Sequence, residues 1–321
     1  MKIGPIISGR SALVIGCSGQ DGSYLCEYLL SLGYKVFGLR RRSTRTGIET
    51  AGVHYLVGDV LDGTSISEAL RTADPDEVYN LAADTFVGDS WKHPLEQAEV
   101  TGLGCVRVLE ALRQYQGSAR HVKFYQASTS ELYGSSPAPQ NELTPFHPRS
   151  PYGCAKLYAH SITVNYRESY GMYNCCGILF NHESERRGAE FVTQKIVTQV
   201  AEILAGKRDT IELGNLTAKR DWGYAPEYAK AMHLMLQQPE PSDYVVATGK
   251  THTVREFLEM ALESAGEKGA IVHENIDNRP AETDELRGDA SKIRALGWEP
   301  KVKVDELAAI MLKAAIARVG K

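Results

Sequence analysis

No apolar run in this chain approaches the roughly 18 residues that a membrane-spanning helix needs. The richest, Leu307 to Leu312, stops at Lys313. The first residues, MKIGPIISGRSALVIG, are broken by Arg10 and lead into a strand-like segment, so neither a cleaved leader nor a membrane partner is expected. Cysteine is sparse: six residues, at 17, 26, 105, 154, 175 and 176, with no Cys-x-x-Cys pair. A zinc site or redox dithiol finds no support in that spacing, and reduced thiols in a cytoplasmic protein are expected. The nine histidines form neither His-x-His nor HExxH, so no metal is expected. Basic charge is not in excess. Lys and Arg number 36 against 40 Asp and Glu, a net charge of −4, and no nucleic-acid partner is expected. Internal repeats, low-complexity tracts and long linkers are also missing.

What is present is an ordinary globular composition, 43% apolar and 24% charged over 321 residues, long enough for about two domains. Short apolar runs at Ala12–Ile15, Lys35–Leu39, Val53–Val57, Glu77–Leu81, Lys123–Ala127 and Asn174–Phe180 are continuous rather than alternating. A parallel sheet covered on both faces requires such strands. Between them, Leu25, Leu29 and Leu32 share one helical face that Gly33 terminates, and Pro151 opens a long helix that ends before Gly171. This alternation predicts an α/β fold, a doubly wound parallel Rossmann sheet with a smaller, mainly helical substrate-binding lobe. The expected boundaries are 1–180 plus about 219–248 for the dinucleotide domain, and about 181–218 plus 249–321 for the lobe, with helices near 189–206, 226–238, 253–264 and 304–318 and few strands after residue 180.

The loop Gly16-Cys17-Ser18-Gly19-Gln20-Asp21-Gly22 lies between the first strand and the first helix. Its glycines suit a tight turn close to a pyrophosphate, with helix N-terminal N–H groups facing the anion. The second strand ends in Arg40-Arg41-Arg42-Ser43 rather than an acidic residue. Guanidinium groups there suit a 2′-phosphate, so NADP is the expected cofactor. Asp59 and Val60, after the third strand, are expected beside the adenine.

Tyr152 and Lys156 stand four residues apart on one helix and so share a face. The ammonium is expected to lower the phenol's pKa, making Tyr152 a base near neutrality. After the fifth strand comes Thr129, a hydroxyl able to bind a substrate oxygen, and two residues later Glu131. A carboxylate there supplies a proton carrier that simple reduction or epimerisation does not need, and it turns the expected chemistry toward elimination.

With these residues assembled, the chain resembles the GDP-mannose 4,6-dehydratases, a branch of the extended short-chain dehydrogenases/reductases. The resemblance is carried by GCSGQDGSYL (16–25), YNLAA (79–83), FYQASTSELYG (124–134), PFHPRSPYGCAKLYAH (145–160), NYRESYG (165–171), GILFNHES (177–184), RRG (186–188), GNLTAKRDWG (214–223), RPAE (279–282) and LGWEP (296–300). It implies a catalytic set of Thr129, Glu131, Tyr152 and Lys156. It implies NADP contacts through Gly16, Ser18, Gly19, Gln20, Asp21, Gly22, Arg41, Arg42, Ser43, Asp59, Val60, Leu81, Ala83, Thr85, Tyr152, Lys156, His182 and Arg187. It also implies a nucleotide-sugar pocket of Ser90, Asn181, Val192, Lys195, Arg220 and Arg279. The implied reaction takes GDP-D-mannose to GDP-4-keto-6-deoxy-D-mannose, with hydride moving from C4 to C6 through a tightly bound, recycled NADP and loss of water.

The sequence departs from the family at four places. Asp84 stands where Gln is common, Thr85 replaces Ser, Glu185 replaces Pro, and the loop after Arg42 is shortened. In relatives that loop supports a tetramer, so a homodimer is expected here, with a homotetramer as the alternative. Two other functions stay open at this point: a nucleotide-sugar epimerase or reductase on the same scaffold, and an NADP-sensing protein without turnover.

Overall fold

The computed structural model describes residues 9–42, 47–117, 120–267, 270–275, 281, 283 and 285–320. Its first half runs β1 (Ser11–Ile15), α1 (Gln20–Ser31), β2 (Lys35–Arg40), β3 (His54–Val57), α2 (Gly63–Ala73), β4 (Glu77–Asn80), α3 (Pro94–Gln97), α4 (Gly104–Gln116), β5 (Lys123–Thr129), α5 (Pro151–Tyr170) and β6 (Asn174–Leu179). The second half runs β7 (His182–Glu183), α6 (Val192–Leu204), β8 (Thr210–Leu213), β9 (Lys219–Arg220), β10 (Gly223–Tyr224), α7 (Ala225–Leu236), β11 (Tyr244–Val246), β12 (His252–Thr253), α8 (Val254–Ala265), β13 (Ile271–Glu274), β14 (Glu285–Leu286), α9 (Ser291–Arg294) and α10 (Val304–Val319). A π-helical turn, Ala98–Leu103, joins α3 to α4.

The six expected strands lie in one seven-stranded sheet of order β11-β6-β5-β4-β1-β2-β3, all parallel. Strand order reverses between β1 and β4. In a doubly wound sheet the crevice at that reversal, outside the carboxyl ends of the strands, is where ligands bind. One face packs Val14, Tyr79 and Tyr125 against α1 and α7; the other packs Leu13, Val78 and Phe124 against α2, α4 and α5. A third apolar core, built from Ile196, Val200, Phe257 and Met311, joins α6, α8 and α10.

The chain after residue 180 is richer in strands than its sequence suggests. β11 completes the main sheet, and β7–β10 and β12–β14 form three small sheets. Most are two to four residues long and pair with segments far away, β9 with both β12 and β14 for example. Such strands carry no local periodicity. Among the described residues, no helix is long and apolar enough to cross a membrane.

Two buried carboxylates fasten this frame. At the amino end of β4, away from the crevice, Glu77 accepts hydrogen bonds from Tyr79 (2.6 Å), Gln237 (3.0 Å), Tyr34 (3.1 Å) and Arg10 (3.3 Å). Beside the crevice, Asp221 accepts from Thr248 N (2.8 Å) and Oγ1 (2.6 Å), Gly249 N (2.8 Å) and Gly288 N (3.3 Å). That nest of donors ties the segment after β9 to the loop after β11.

Candidate active site

β1 ends into a turn at Gly16, whose φ of +86° suits glycine, and whose absent Cβ would lie 3.0 Å from Ala82 N. Gly22, in the first turn of α1, packs against the Gly16 carbonyl. Gly19 is the N-cap of α1 and offers no capping side chain, so the first N–H groups of a 12-residue helix are not satisfied by a cap. A Cβ at Gly19 would meet nothing nearer than 3.6 Å. Uncapped donors behind an open backbone fit a pyrophosphate. Ser18 is buried, and its carbonyl accepts from Ile48 N at 3.0 Å.

The side walls of this cradle follow from the adjoining strands. Leu81 N donates to Ile15 O (2.9 Å), which lays the start of the Leu81–Thr85 stretch along the glycine turn, with Ala83 half-buried and Thr85 exposed. Asp59 Oδ1 accepts from Leu61 N (3.0 Å), and Val60 is buried against Gly104. Of the three arginines after β2, Arg40 is committed: it bonds Glu49 at 2.6 Å and lies over the Tyr55 ring at 4.3 Å. Arg41 and Arg42 are exposed. Ser43 lies outside the described residues, as does Arg279. Asp84 is held through its backbone by Thr101 and Gln97. Burial first, then Glu96 and Asp89, push its carboxyl up, while Arg41 pulls it down.

At the carboxyl end of β5, Thr129 is extended and buried, and its Oγ1 accepts from Glu131 N at 3.2 Å. Ser150 caps α5 by accepting from Gly153 N (3.0 Å), with Pro151 in the first turn. A Cβ on Gly153 would stand 3.0 Å from the Glu131 carbonyl, so the first turn of α5 rests directly on the 129–131 turn. Tyr152 therefore stands beside Thr129 and feels the charge of Glu131. Lys156, one turn on, is buried; its Nζ donates to Ala127 O at 2.9 Å and stands 5.9 Å from the centre of the Tyr152 ring.

The phenol of Tyr152 does not behave as expected from the spacing. Burial raises its pKa, Thr129 and Arg187 lower it, Glu131 and Asp21 raise it, and the net shift is upward. Lys156 is lowered to about 8 by burial, and its Nζ is bonded to the strand carbonyl rather than to the phenol. Shared helical spacing brings the two groups near each other but says nothing of desolvation.

Beyond β6, His182 is buried with Nδ1 2.6 Å from Phe180 O and Nε2 2.8 Å from Asp21 Oδ2. A carbonyl and a carboxylate both require a donor, so both ring nitrogens carry protons and the ring is an imidazolium. Burial alone would lower His182, but Asp21 and the two hydrogen bonds outweigh it and the pKa rises. Burial would likewise raise Asp21, but His182 and Gln20 bring it down to about 2. His182 also stacks on Tyr228, with centroids 4.5 Å apart. Gln20 donates to Asp21 and to His182 O at 3.0 Å each and accepts from Ser184 at 2.8 Å. Arg186 reaches back to Ser23 (2.9 Å) and Glu27 (2.6 Å) on α1.

The expected substrate residues divide. Glu131 and Arg220 line one small cavity with Val87, Trp91, Arg149, Ser150, Ala281 and Thr283. Arg220 donates to Thr283 O at 2.9 Å. Asn181 has a buried Oδ1 without a partner. Val192 and Lys195 open α6, the first half-buried and the second exposed. Ser90 is fully buried and its hydroxyl donates to Val87 O (2.7 Å), so it supports the cavity wall instead of lining it. Trp91 and Arg149 are additions that sequence reading missed. Arg149, next to the Ser150 cap, had one signal: its place inside the PRSPYGCAK stretch.

The charged pair at His182 makes stability depend on pH. Asp21 is depressed, so its contribution is present above about pH 4 and lost as pH falls toward about 2. His182 is raised, so its contribution is full below about pH 6.5 and lost as pH rises through the folded value. We expect the urea midpoint of the wild type to fall relative to that of His182→Gln between about pH 6 and about pH 9. Parallel curves would remove the imidazolium.

Residues 13–311 match the family model described as GDP-mannose 4,6 dehydratase. GDP-mannose 4,6 dehydratase 1 of Arabidopsis thaliana is 48% identical, covering 94% of this chain and 89% of its own length. GDP-mannose 4,6 dehydratase of Drosophila melanogaster is 47% identical, covering 97% and 87%. In structure, UDP-glucose 4-epimerase of Thermus thermophilus in complex with NAD superposes with a TM-score of 0.85 at 29% identity, covering 95% of this chain and 98% of that one. The fold, the glycine cradle and the cluster at the end of β5 thus meet a similarity that spans nearly the whole chain, and the chain belongs to the GDP-mannose 4,6 dehydratase family.

Proposed function

We propose that this enzyme converts GDP-D-mannose to GDP-4-keto-6-deoxy-D-mannose, using NADP that is regenerated in each turnover. The observation that carries the reading is the meeting of Thr129, Glu131 and Tyr152 at one strand end, with Glu131 facing a cavity that also holds Arg220. A nicotinamide dinucleotide suits the cradle, and the Thermus thermophilus relative was solved with NAD. The pyrophosphate would lie on the uncapped start of α1, Asp59 and Val60 would border the adenine, and Arg41 and Arg42 would take a 2′-phosphate. The chemistry supplied by the bound dinucleotide is hydride acceptance from the sugar's C4 and hydride donation to C6.

The chain's own residues do the rest. Tyr152 takes the proton of the C4 hydroxyl while Thr129 holds that oxygen. Its raised pKa means the proton leaves only once positive charge stands nearby, a role shared by Arg187 and Lys156. The 4-ketone acidifies C5. Glu131 removes the C5 proton and delivers a proton to the departing C6 hydroxyl, so one water leaves and the carboxylate returns to its starting state. C5 is then reprotonated by the proton that Tyr152 took from the C4 hydroxyl, which returns Tyr152 to its starting state. Arg220 and Asn181 face the nucleotide sugar, the first as a cation for its diphosphate and the second through its free Oδ1.

We further infer a homodimer that buries Leu95, Leu103 and Tyr158. These apolar side chains are exposed on the adjoining α3, π-helical turn and α5, with Leu95 82% accessible.

Three outcomes test the reading. Substrate deuterated at C4 should give product deuterated at C6, read by mass spectrometry and NMR; wash-out into solvent would refute the hydride path. Glu131→Gln should lose about 10²–10⁴ in dehydration rate with cofactor affinity intact, and near-normal turnover would remove Glu131 from its role. Replacing Arg41 and Arg42 by Ala should weaken NADP by about tenfold or more and spare NAD, measured by calorimetry; equal losses would argue against a 2′-phosphate contact. For the assembly, Leu95→Glu with Leu103→Glu should give monomers by light scattering, and an unchanged mass would place the interface elsewhere.

A further inference from the structure

Glu183 takes no part in the reaction as derived above, yet it is a carboxylate only 2% accessible beside the site. Its Oε2 accepts from Thr193 Oγ1 at 2.6 Å, which links β7 to the first turn of α6. The same oxygen lies 3.0 Å from Arg187 Nε, off the N–H axis, so the contact is ionic. Arg187 is also fixed from the other side: its guanidinium lies 3.5 Å from the centre of the Phe191 ring, and Phe191 meets Phe86 edge to face. The charge of Arg187 is felt at Tyr152, at Asp21 and at His182. Arg187 is thus a cation with a fixed position, partly neutralised by a buried anion.

We propose that Glu183 is a positioning residue: through the ion pair it sets where the Arg187 guanidinium stands and how much of its positive field reaches the phenol of Tyr152. This rests on Tyr152 acting as the base. The other groups facing the phenol are Thr129 at the end of β5, Glu131 just after it, Asp21 from α1 with its partner His182, and Lys156 on α5. None of them touches Glu183 through a hydrogen bond, so the Glu183 charge can be removed while they stay in place. With that charge gone, the net field at Tyr152 becomes more positive and the phenolate is easier to form.

The test is the pH profile of the cofactor-loaded enzyme together with NMR of tyrosine labelled at Cζ, in which the Tyr152 signal is assigned by its loss in Tyr152→Phe. In Glu183→Gln the acidic limb of kcat/KM and the Tyr152 titration should both move to lower pH, by about one unit. Glu183→Asp keeps the charge and should keep the wild-type limb. A merely structural role would lower activity without moving the limb. If the wild-type limb follows the Tyr152 signal but neither moves in a folded Glu183→Gln, the Glu183 role is refuted and Tyr152 remains the base. If the wild-type limb does not follow the Tyr152 signal, the base assignment falls and this inference with it. Should Glu183→Gln fail to fold, the neutral pair Glu183→Gln with Arg187→Gln replaces it. That pair should keep the limb near its wild-type position, whereas Arg187→Gln alone should move it to higher pH, and an unmoved limb in Arg187→Gln would overturn the proposal.

Discussion

The contact on which the site depends is backbone against backbone: the first turn of α5 on the turn that ends β5. It exists because position 153 carries no side chain, leaving the Glu131 carbonyl 3.0 Å from where a Cβ would be. That approach gives Tyr152 a hydroxyl neighbour in Thr129 and puts a carboxylate on the same side of the sheet. Lys156 locks the arrangement by bonding Ala127 O, two residues before the strand ends. The helix is thus tied to the strand at two points, and the geometry proposed for proton transfer is a property of the scaffold rather than of mobile side chains.

Around that contact, buried charges come with partners. Asp21 faces His182, Glu183 faces Arg187 and Thr193, and Asp221 sits among three backbone N–H groups and a hydroxyl. An isolated ion in such places would be costly, whereas paired ones hold loops at fixed distances. Tyr152 is the exception: burial holds its proton tightly, and its neighbours include two carboxylates as well as a guanidinium. In the proposed reaction, which both takes and returns protons, a base whose affinity is set by a few identifiable neighbours would be an advantage.

Much of this was legible in the residues. Six strands of the main sheet announce themselves as short apolar runs, and the cradle is marked by glycines between a strand and a helix. Glu131 is visible through its distance from Thr129. β11 was not legible, because three apolar residues are no pattern; it is a strand only because β6 offers an edge. Trp91 and Arg149 reach the cavity through contacts between distant segments. The behaviour of Tyr152 was misjudged for a related reason: spacing along a helix reports adjacency, while the phenol's proton affinity is dominated by how little water surrounds it. The arginine cluster was half legible, since nothing local shows that Arg40 is taken by Glu49 and Tyr55.

Gln20, Ser184 and Arg186 rivet the glycine loop and α1 to the segment that follows β6. Walls of the crevice that originate on opposite sides of the strand reversal are therefore one mechanical piece. Parting those walls around a dinucleotide would require breaking several of these bonds at once. For the proposed reaction, which would return its redox carrier to the starting state, long residence would be an advantage: the carrier would serve as a built-in part, and only the sugar nucleotide would have to come and go.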